Sequence, residues 1–216
     1  MAKRPVFIPL DQGPALVDEV PVEFSWHPGM AAVQKKKNVI ALHGRAAERG
    51  MTPLLEISSK SEREVGRKLS AFHLKMHVDG RESTLECVFQ GSKVFEHGGP
   101  YTDLYWVDSR DAKRDPRLRD SGNLTSFRFD GREFPLSPPT AFYDWLYLRA
   151  LFPHREWLKR LDQCAGFTDI EFNPERSINC QARSCATFVA LEHRGKLDVA
   201  VSSFSDFRSI LSATSV

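Results

Sequence analysis

The segment Thr140-Ala-Phe-Tyr-Asp-Trp-Leu-Tyr-Leu-Arg-Ala-Leu151, which follows Pro138 and Pro139, is the most apolar stretch of the chain. A helix that is hydrophobic around most of its circumference has no face to give to water, so it predicts a buried central element. The surrounding strand-like runs are short. Val6–Leu10 and Val20–Trp26 read as strands separated by a turn at Gln12-Gly-Pro, with prolines that suit edge positions. Two Asp-Gly pairs, at Asp79-Gly80 and within Phe127–Phe134, are signals for two-residue hairpin turns. Leu54–Ser59 and Phe167–Asn173 are read as further strands. Helices are predicted over Met30–Arg49 with Gly50 as its cap, a short one through Val65, Thr84–Phe95, Ser109–Asp115, Glu156–Gln163, Asn179–His193 and Ser205–Leu211. The expectation is an α+β, predominantly helical single domain with short antiparallel strands and hairpins. Residues 1–60 would hold N-terminal strands and a helix, 61–195 the core with the active site, and 196–216 a C-terminal helix and tail.

At 216 residues the chain can bury a substantial core without disulfide or metal staples. A net charge of +2 is too mild to announce a nucleic-acid binder, although Lys35-Lys36-Lys37 biases the field locally. That basic run is expected at the solvated end of its helix. Four cysteines, at 87, 164, 180 and 185, make no Cys-x-x-Cys pair and no regular spacing with histidine. No metal site and no cofactor are therefore expected. With no signal-peptide pattern at Met1-Ala-Lys-Arg, a reducing cytoplasm is the expected compartment. No apolar run reaches the roughly 18 residues that span a bilayer.

The stretch Thr84–Phe95 carries an unusual polar stripe. At 100° per residue Glu86, Gln90 and Lys93 fall within about 60° of one another, with Val88 and Phe95 turned toward a core. On spacing alone the stripe fits a solvated surface with an i,i+4-type pair as well as a reactive face. Its setting favours the second reading. A hairpin feeds the helix, and the breaker-rich His97-Gly-Gly-Pro-Tyr101 loop ends it. Ser58-Ser-Lys-Ser61, after a strand and before a helix, offers backbone N–H groups for an anionic group or simply caps the helix. Strict alternation over Phe167–Asn173 would put Asp169, Glu171 and Asn173 on one strand face, as ligands or as an exposed edge.

These pieces together resemble the NADAR family. The resemblance rests on Ser70-Ala-Phe72, the Val78-Asp-Gly-Arg81 hairpin, Glu86 followed by Phe89-Gln90, Lys93 and Phe95, and Ala112-Lys-Arg114. The DarT-associated branch is the more specific likeness, through Leu55-Glu-Ile-Ser-Ser-Lys60, Gly98-Gly-Pro-Tyr101, Phe142-Tyr-Asp-Trp145, Phe167–Asn173 and Asn179-Cys-Gln-Ala182. The common family has Asn where Ala71 stands and Trp-Pro where Glu82-Ser83 stand. It also has a Trp-Gly-rich stretch near Phe167–Asn173.

The resemblance implies a YbiA-like (NADAR) fold and an N-glycosidase that removes ADP-ribose from guanine bases in DNA, as antitoxin to a DarT-type ADP-ribosylating toxin. ADP-ribosylated DNA is then the substrate and ADP-ribose the product. Cleavage of riboflavin-pathway or other nucleotide-like metabolites, and a non-catalytic module that binds ADP-ribose or the toxin, are the alternatives. The expected catalytic groups are Glu86, Lys93, Asp169 and Glu171. Glu86 stabilises an oxocarbenium-like centre, while Lys93, or Lys60 in its place, forms a Schiff base with a ring-opened sugar. Ser59, Lys60, Ser70, Phe72, Gln90, Gly99, Tyr101, Tyr105, Asn173, Asn179 and Gln181 are the expected substrate-binding residues. In that set Ser59 and Lys60 grip the diphosphate and Tyr101 or Tyr105 stacks on a base.

Overall fold

A computed structural model describes residues 1–213, so residues 214–216 of the expected C-terminal tail lie outside the described residues. The chain runs through β1 (Ala2–Pro9), β2 (Val17–Phe24), α1 (Ala32–Ala47), β3 (Leu54–Glu56), α2 (Glu64–Lys68), β4 (Lys75–Val78), β5 (Arg81–Thr84), α3 (Leu85–Gly91) and β6 (Lys93–Phe95). A 3-10 turn, Thr102–Trp106, leads to α4 (Ser109–Arg114), α5 (Arg117–Asp120), β7 (Leu124–Phe129), β8 (Arg132–Phe134), α6 (Ala141–Leu151) and α7 (Arg155–Leu158). The rest is β9 (Gly166–Thr168), α8 (Gln181–His193), α9 (Leu197–Ser202) and α10 (Phe204–Ala213).

The architecture is α+β, as expected. One sheet has the strand order β2-β1-β9-β3, and its β3 and β9 run parallel, with Leu55 opposite Phe167. The other strands form antiparallel groups, β4-β5 and β6-β7-β8. Both hairpin turns carry positive φ at the Asp and the Gly, 49° and 75° at Asp79-Gly80 and 52° and 68° at Asp130-Gly131. That is the mirror-image turn whose twist matches paired strands.

The first sheet is covered on both faces. Val6, Val22, Phe24 and Leu54 pack with Val39, Leu42 and Ala46 of α1, whereas Phe7, Leu55 and Phe167 join the main core with α6 and α8. Alternate residues of one strand therefore meet two different apolar layers, and Leu54–Ser58 is buried throughout, with no face left to solvent. The apolar segment found in the sequence is α6, fully buried except near Arg149. Ala182, Ala186 and Ala190 of α8 are completely buried, and these small side chains let α8 lie close against α6.

Several local expectations are corrected. The Thr84–Phe95 helix stops at Gly91, and Lys93–Phe95 is a strand. The Ser92 carbonyl accepts the Arg128 N–H at 2.7 Å, so the ladder with β7 replaces the next helical turn. The Phe167–Asn173 strand ends at Thr168, because the Asp169 carboxylate accepts the Glu171 N–H (3.0 Å) and its carbonyl the Phe172 N–H (3.2 Å), closing a turn. The Glu156–Gln163 helix divides into α7 and a 3-10 turn, and α9 was not foreseen in the sequence. Helix α2 begins at Glu64, beyond the Ser58–Ser61 loop. On α1, Val39, Leu42 and Ala46 are buried, whereas Val33 and Ile40 are exposed.

Helix α2 crosses β3 closely at Gly66, where a Cβ would stand 2.0 Å from the Glu56 carbonyl oxygen and 2.3 Å from Ser61 Oγ. Gly66→Ala is therefore expected to lower unfolding free energy by about 2–3 kcal/mol, read as a lower denaturant midpoint. A midpoint equal to that of the unaltered protein would mean that α2 is not held against β3.

Candidate active site

A cavity of about 760 Å³ opens between the start of α1, the Ser58–Lys60 loop, Ser70–His73, α3, α4 and the segment from Asp169 to Gln181. Its size suits a nucleotide-like ligand. Glu86 reaches it from the first turn of α3. Thr84 caps that turn by accepting the Cys87 N–H, the Leu85 N–H donates to the Leu74 carbonyl (2.9 Å), and the Glu86 N–H donates to the Ala71 carbonyl (3.0 Å). Two deeper helices hold this support in place. Tyr147 of α6 donates its hydroxyl to the Leu69 carbonyl at 2.7 Å, and Gln181 of α8 accepts the Ala71 N–H at 2.8 Å. The backbone that carries Glu86 is thus fixed by contacts from α6, α8 and the loop between α2 and β4.

Glu86 is buried, at 5% exposure, yet well supplied with donors. Gln90 donates from Nε2 to Glu86 Oε1 at 2.9 Å and accepts from Lys93 Nζ at 2.7 Å. Lys113, on α4, brings its Nζ within 3.6 Å of the same carboxylate oxygen and lies over the Phe72 ring. The stripe seen in the sequence is real as a cluster although Lys93 has left the helix. Burial lowers the Lys93 amine to about 8; Glu86 opposes that shift and Lys113 adds to it. The ammonium also sits 4.9 Å from the Phe89 ring centre. At such a value roughly one amine in ten is neutral at pH 7, against fewer than about one in a thousand for an ordinary lysine.

A second acidic centre faces the cavity from Asp169. Burial pushes its carboxyl well up from the usual carboxylate range, while the Glu171 N–H and the Gln181 amide favour the ionised form. Behind it Glu56 is buried and likewise raised, by burial first and by the charge of Asp169 second. Glu56 accepts from the Ser58 hydroxyl (2.6 Å), the Thr168 hydroxyl (2.7 Å) and the Ile170 N–H (2.8 Å), and Thr168 Oγ1 is 2.8 Å from His43 Nε2. It therefore ties the Ser58 loop to the Asp169 turn. Between the two centres, Tyr143 of α6 stands edge-on to Phe89 at 5.0 Å and has its hydroxyl raised by burial and by both Glu86 and Asp169.

Of the residues expected at the site, Glu86, Lys93, Asp169, Glu171, Ser59, Lys60, Ser70, Phe72, Gln90, Asn179 and Gln181 line this cavity. Glu171 does not share a strand face with Asp169. It lies beyond the turn, 3.6 Å from Lys35 Nζ, so that Lys35 points inward and is not part of a solvated end. Gly99, Tyr101, Tyr105 and Asn173 are elsewhere. Tyr105 is buried with its hydroxyl against Ser92 (3.0 Å) and its ring against Gly91. Tyr101 bonds to Ser121 and lies under Arg117. Gly99 packs on the Lys93 carbonyl, and Asn173 accepts the Glu175 N–H to close its own turn. The helix-start amides also differ from expectation, because the Lys60 and Ser61 N–H groups are already bonded to Ser58.

Glu56, Tyr143 and Lys113 were not singled out in the sequence. Each stands inside a segment that carries the family resemblance, Leu55–Lys60, Phe142–Trp145 and Ala112–Arg114, which is the signal that could have found them. The four cysteines are buried free thiols. Among the described residues no group of three or more His, Cys, Asp or Glu side chains is arranged to hold a metal ion, and no helix is long and apolar enough to cross a membrane.

The family of DarT1-associated NADAR antitoxins matches the chain over residues 2–216. No curated protein matches it.

Proposed function

Because the chain belongs to the DarT1-associated NADAR antitoxin family, which implies a DarT-type toxin as its functional partner, we propose that it is an N-glycosidase that removes ADP-ribose from guanine bases in DNA. On this reading it works in the cytoplasm. The observation that carries the reading is the Glu86-Gln90-Lys93 relay, a buried acid and a half-buried lysine of lowered pKa joined through one amide inside a nucleotide-sized cavity.

The chemistry follows from those groups. A sugar joined to guanine through an exocyclic amine opens to an imine at its anomeric carbon. The neutral Lys93 amine adds to that carbon, and its protons pass through the ionised Glu86 to the guanine nitrogen as the resulting aminal expels guanine with a free amine. A Lys93 imine remains. Water adds to it, with Glu86 as base, and breakdown of the carbinolamine returns the lysine amine and frees ADP-ribose. Before ring opening, the ionised Glu86 stabilises positive charge at the same carbon. Ser59, Lys60 and Lys35 are suited to the diphosphate, and Asp169 with Gln181 and Asn179 to sugar hydroxyls. Glu171 is a less suitable acid because Lys35 already answers its charge.

Single-turnover incubation with an oligonucleotide ADP-ribosylated on guanine tests the proposal. Free ADP-ribose and unmodified DNA are the expected products. Stoichiometric binding without release would overturn the enzymatic reading in favour of a binding module, and release from nucleotide-like metabolites alone would overturn DNA as the substrate.

A further inference from the structure

The lip of the cavity on the α4 side carries cations that the reaction just described does not use. Ser109 and Ala112 are the buried face of α4, whereas Arg110, Lys113 and Arg114 are exposed and line the cavity. Asp111, the acid of the same helix, does not line it. Lys113 is engaged with Glu86 and Phe72. Among the described residues the guanidinium groups of Arg110 and Arg114 have no hydrogen bond, ion pair or ring contact. Arg117, a few residues on, shows the contrast: Asp103 (2.6 Å) and Asp115 (2.9 Å) hold it, and it covers the Tyr101 ring. The nearest acid to Arg110 in sequence, Asp108, spends an oxygen on the Arg110 backbone N–H at 2.8 Å.

Two free guanidinium groups one helical turn apart, with side-chain bases about 5–6 Å from each other, form a short positive track at the mouth of a site. The direction of the track follows from the cavity. Lys113 joins α4 to Glu86, so the α4 lip lies at the end where the glycosidic bond would be cut, and Ser58–Lys60 lies toward Asp169 through Glu56. A base leaving the carbon beside Glu86 and Lys93 departs past α4, and the strand that carries it must cross this lip.

We propose that the α4 face bearing Arg110 and Arg114 binds the phosphates of the DNA strand that flanks the modified guanine. The inference rests on the glycosidase reading and adds to it a preference for a polynucleotide over a free nucleoside adduct. Phosphate contacts of this kind are independent of sequence and sensitive to salt.

Two substrates separate the contributions: a single-stranded oligonucleotide ADP-ribosylated on guanine, and ADP-ribosylated deoxyguanosine as the free nucleoside. In the double variant R110A/R114A, kcat/KM for the oligonucleotide is expected to fall tenfold or more. The slope of log kcat/KM against log salt is expected to shallow by about 1.4, the release expected for two single-strand phosphate contacts. The rate on the nucleoside is expected to stay within twofold. The charge reversal R110E/R114E should deepen the oligonucleotide defect, and R110K/R114K should restore most of it. Equal losses on both substrates, or no loss on either, would overturn the strand contact. If the unaltered protein frees ADP-ribose from neither substrate, the glycosidase reading fails and the strand contact with it.

Discussion

Glu86→Gln is expected to reduce single-turnover release of ADP-ribose from guanine-modified DNA by about 10²–10⁴-fold, the range that a positioned proton-transfer group supplies. The replacement is nearly isosteric. Its amide oxygen can still accept from Gln90 Nε2, and the backbone bonds from Leu85 to Leu74 and from Glu86 to Ala71 do not involve the side chain. Folding should therefore persist, as checked by an unchanged thermal transition and retained binding of ADP-ribose. What is lost is negative charge beside the anomeric carbon and a proton for the departing guanine amine. It also leaves Lys113 without the carboxylate now 3.6 Å away, but that lysine is more than half exposed and water can solvate it. Wild-type turnover by a folded Glu86→Gln protein would remove Glu86 from the mechanism and point to Asp169, the other buried carboxyl of the cavity.

Where the sequence was legible, one local rule decided the outcome. The Asp-Gly pairs specified hairpins because positive φ at successive residues is permitted to few side chains, and α6 was visible because its apolar residues leave no exposed face. It misled where a local pattern met a distant partner. Helical periodicity continues through Lys93, but β7 captures the chain at Ser92 and turns Lys93–Phe95 into a strand. Alternation continues through Asn173, but the Asp169 side chain closes a turn instead. Glu56 was passed over within an apolar run because, of the three donors that make its burial tolerable, only Ser58 is close in sequence, while Thr168 and Ile170 lie 112 and 114 residues away. Tyr101 and Tyr105 were expected to stack on a base. Their rings instead pack against Phe95 and Trp106, and Tyr105 fills the space that Gly91 leaves. The polar cluster was found despite the wrong secondary structure, because Gln90, in the last turn of α3, bonds both to Glu86 in the first turn and to Lys93 at the start of β6.

Lys93→Arg is expected to abolish turnover by roughly 10³-fold or more, because a guanidinium keeps the positive charge but forms no imine under these conditions. Borohydride added during turnover should trap a sugar adduct on the unaltered protein that maps to Lys93 by mass spectrometry, and no adduct on the variant. Full activity in Lys93→Arg, or an adduct mapping to Lys60, would leave Lys93 as a hydrogen-bonding partner of Gln90 and nothing more. The pH profile offers an independent check on the same nitrogen. The reactive form is the neutral amine, so kcat/KM should fall about tenfold per unit as pH drops below about 8 and level off above it. Burial is the main reason that the limb lies there and not near 10.5, and the Lys113 ammonium holds it lower still. Lys113→Gln, which removes that positive charge without touching the amine, should therefore move the limb upward. A limb that stays fixed would mean that some other group, with Asp169 the first candidate through its raised carboxyl, sets the pH dependence.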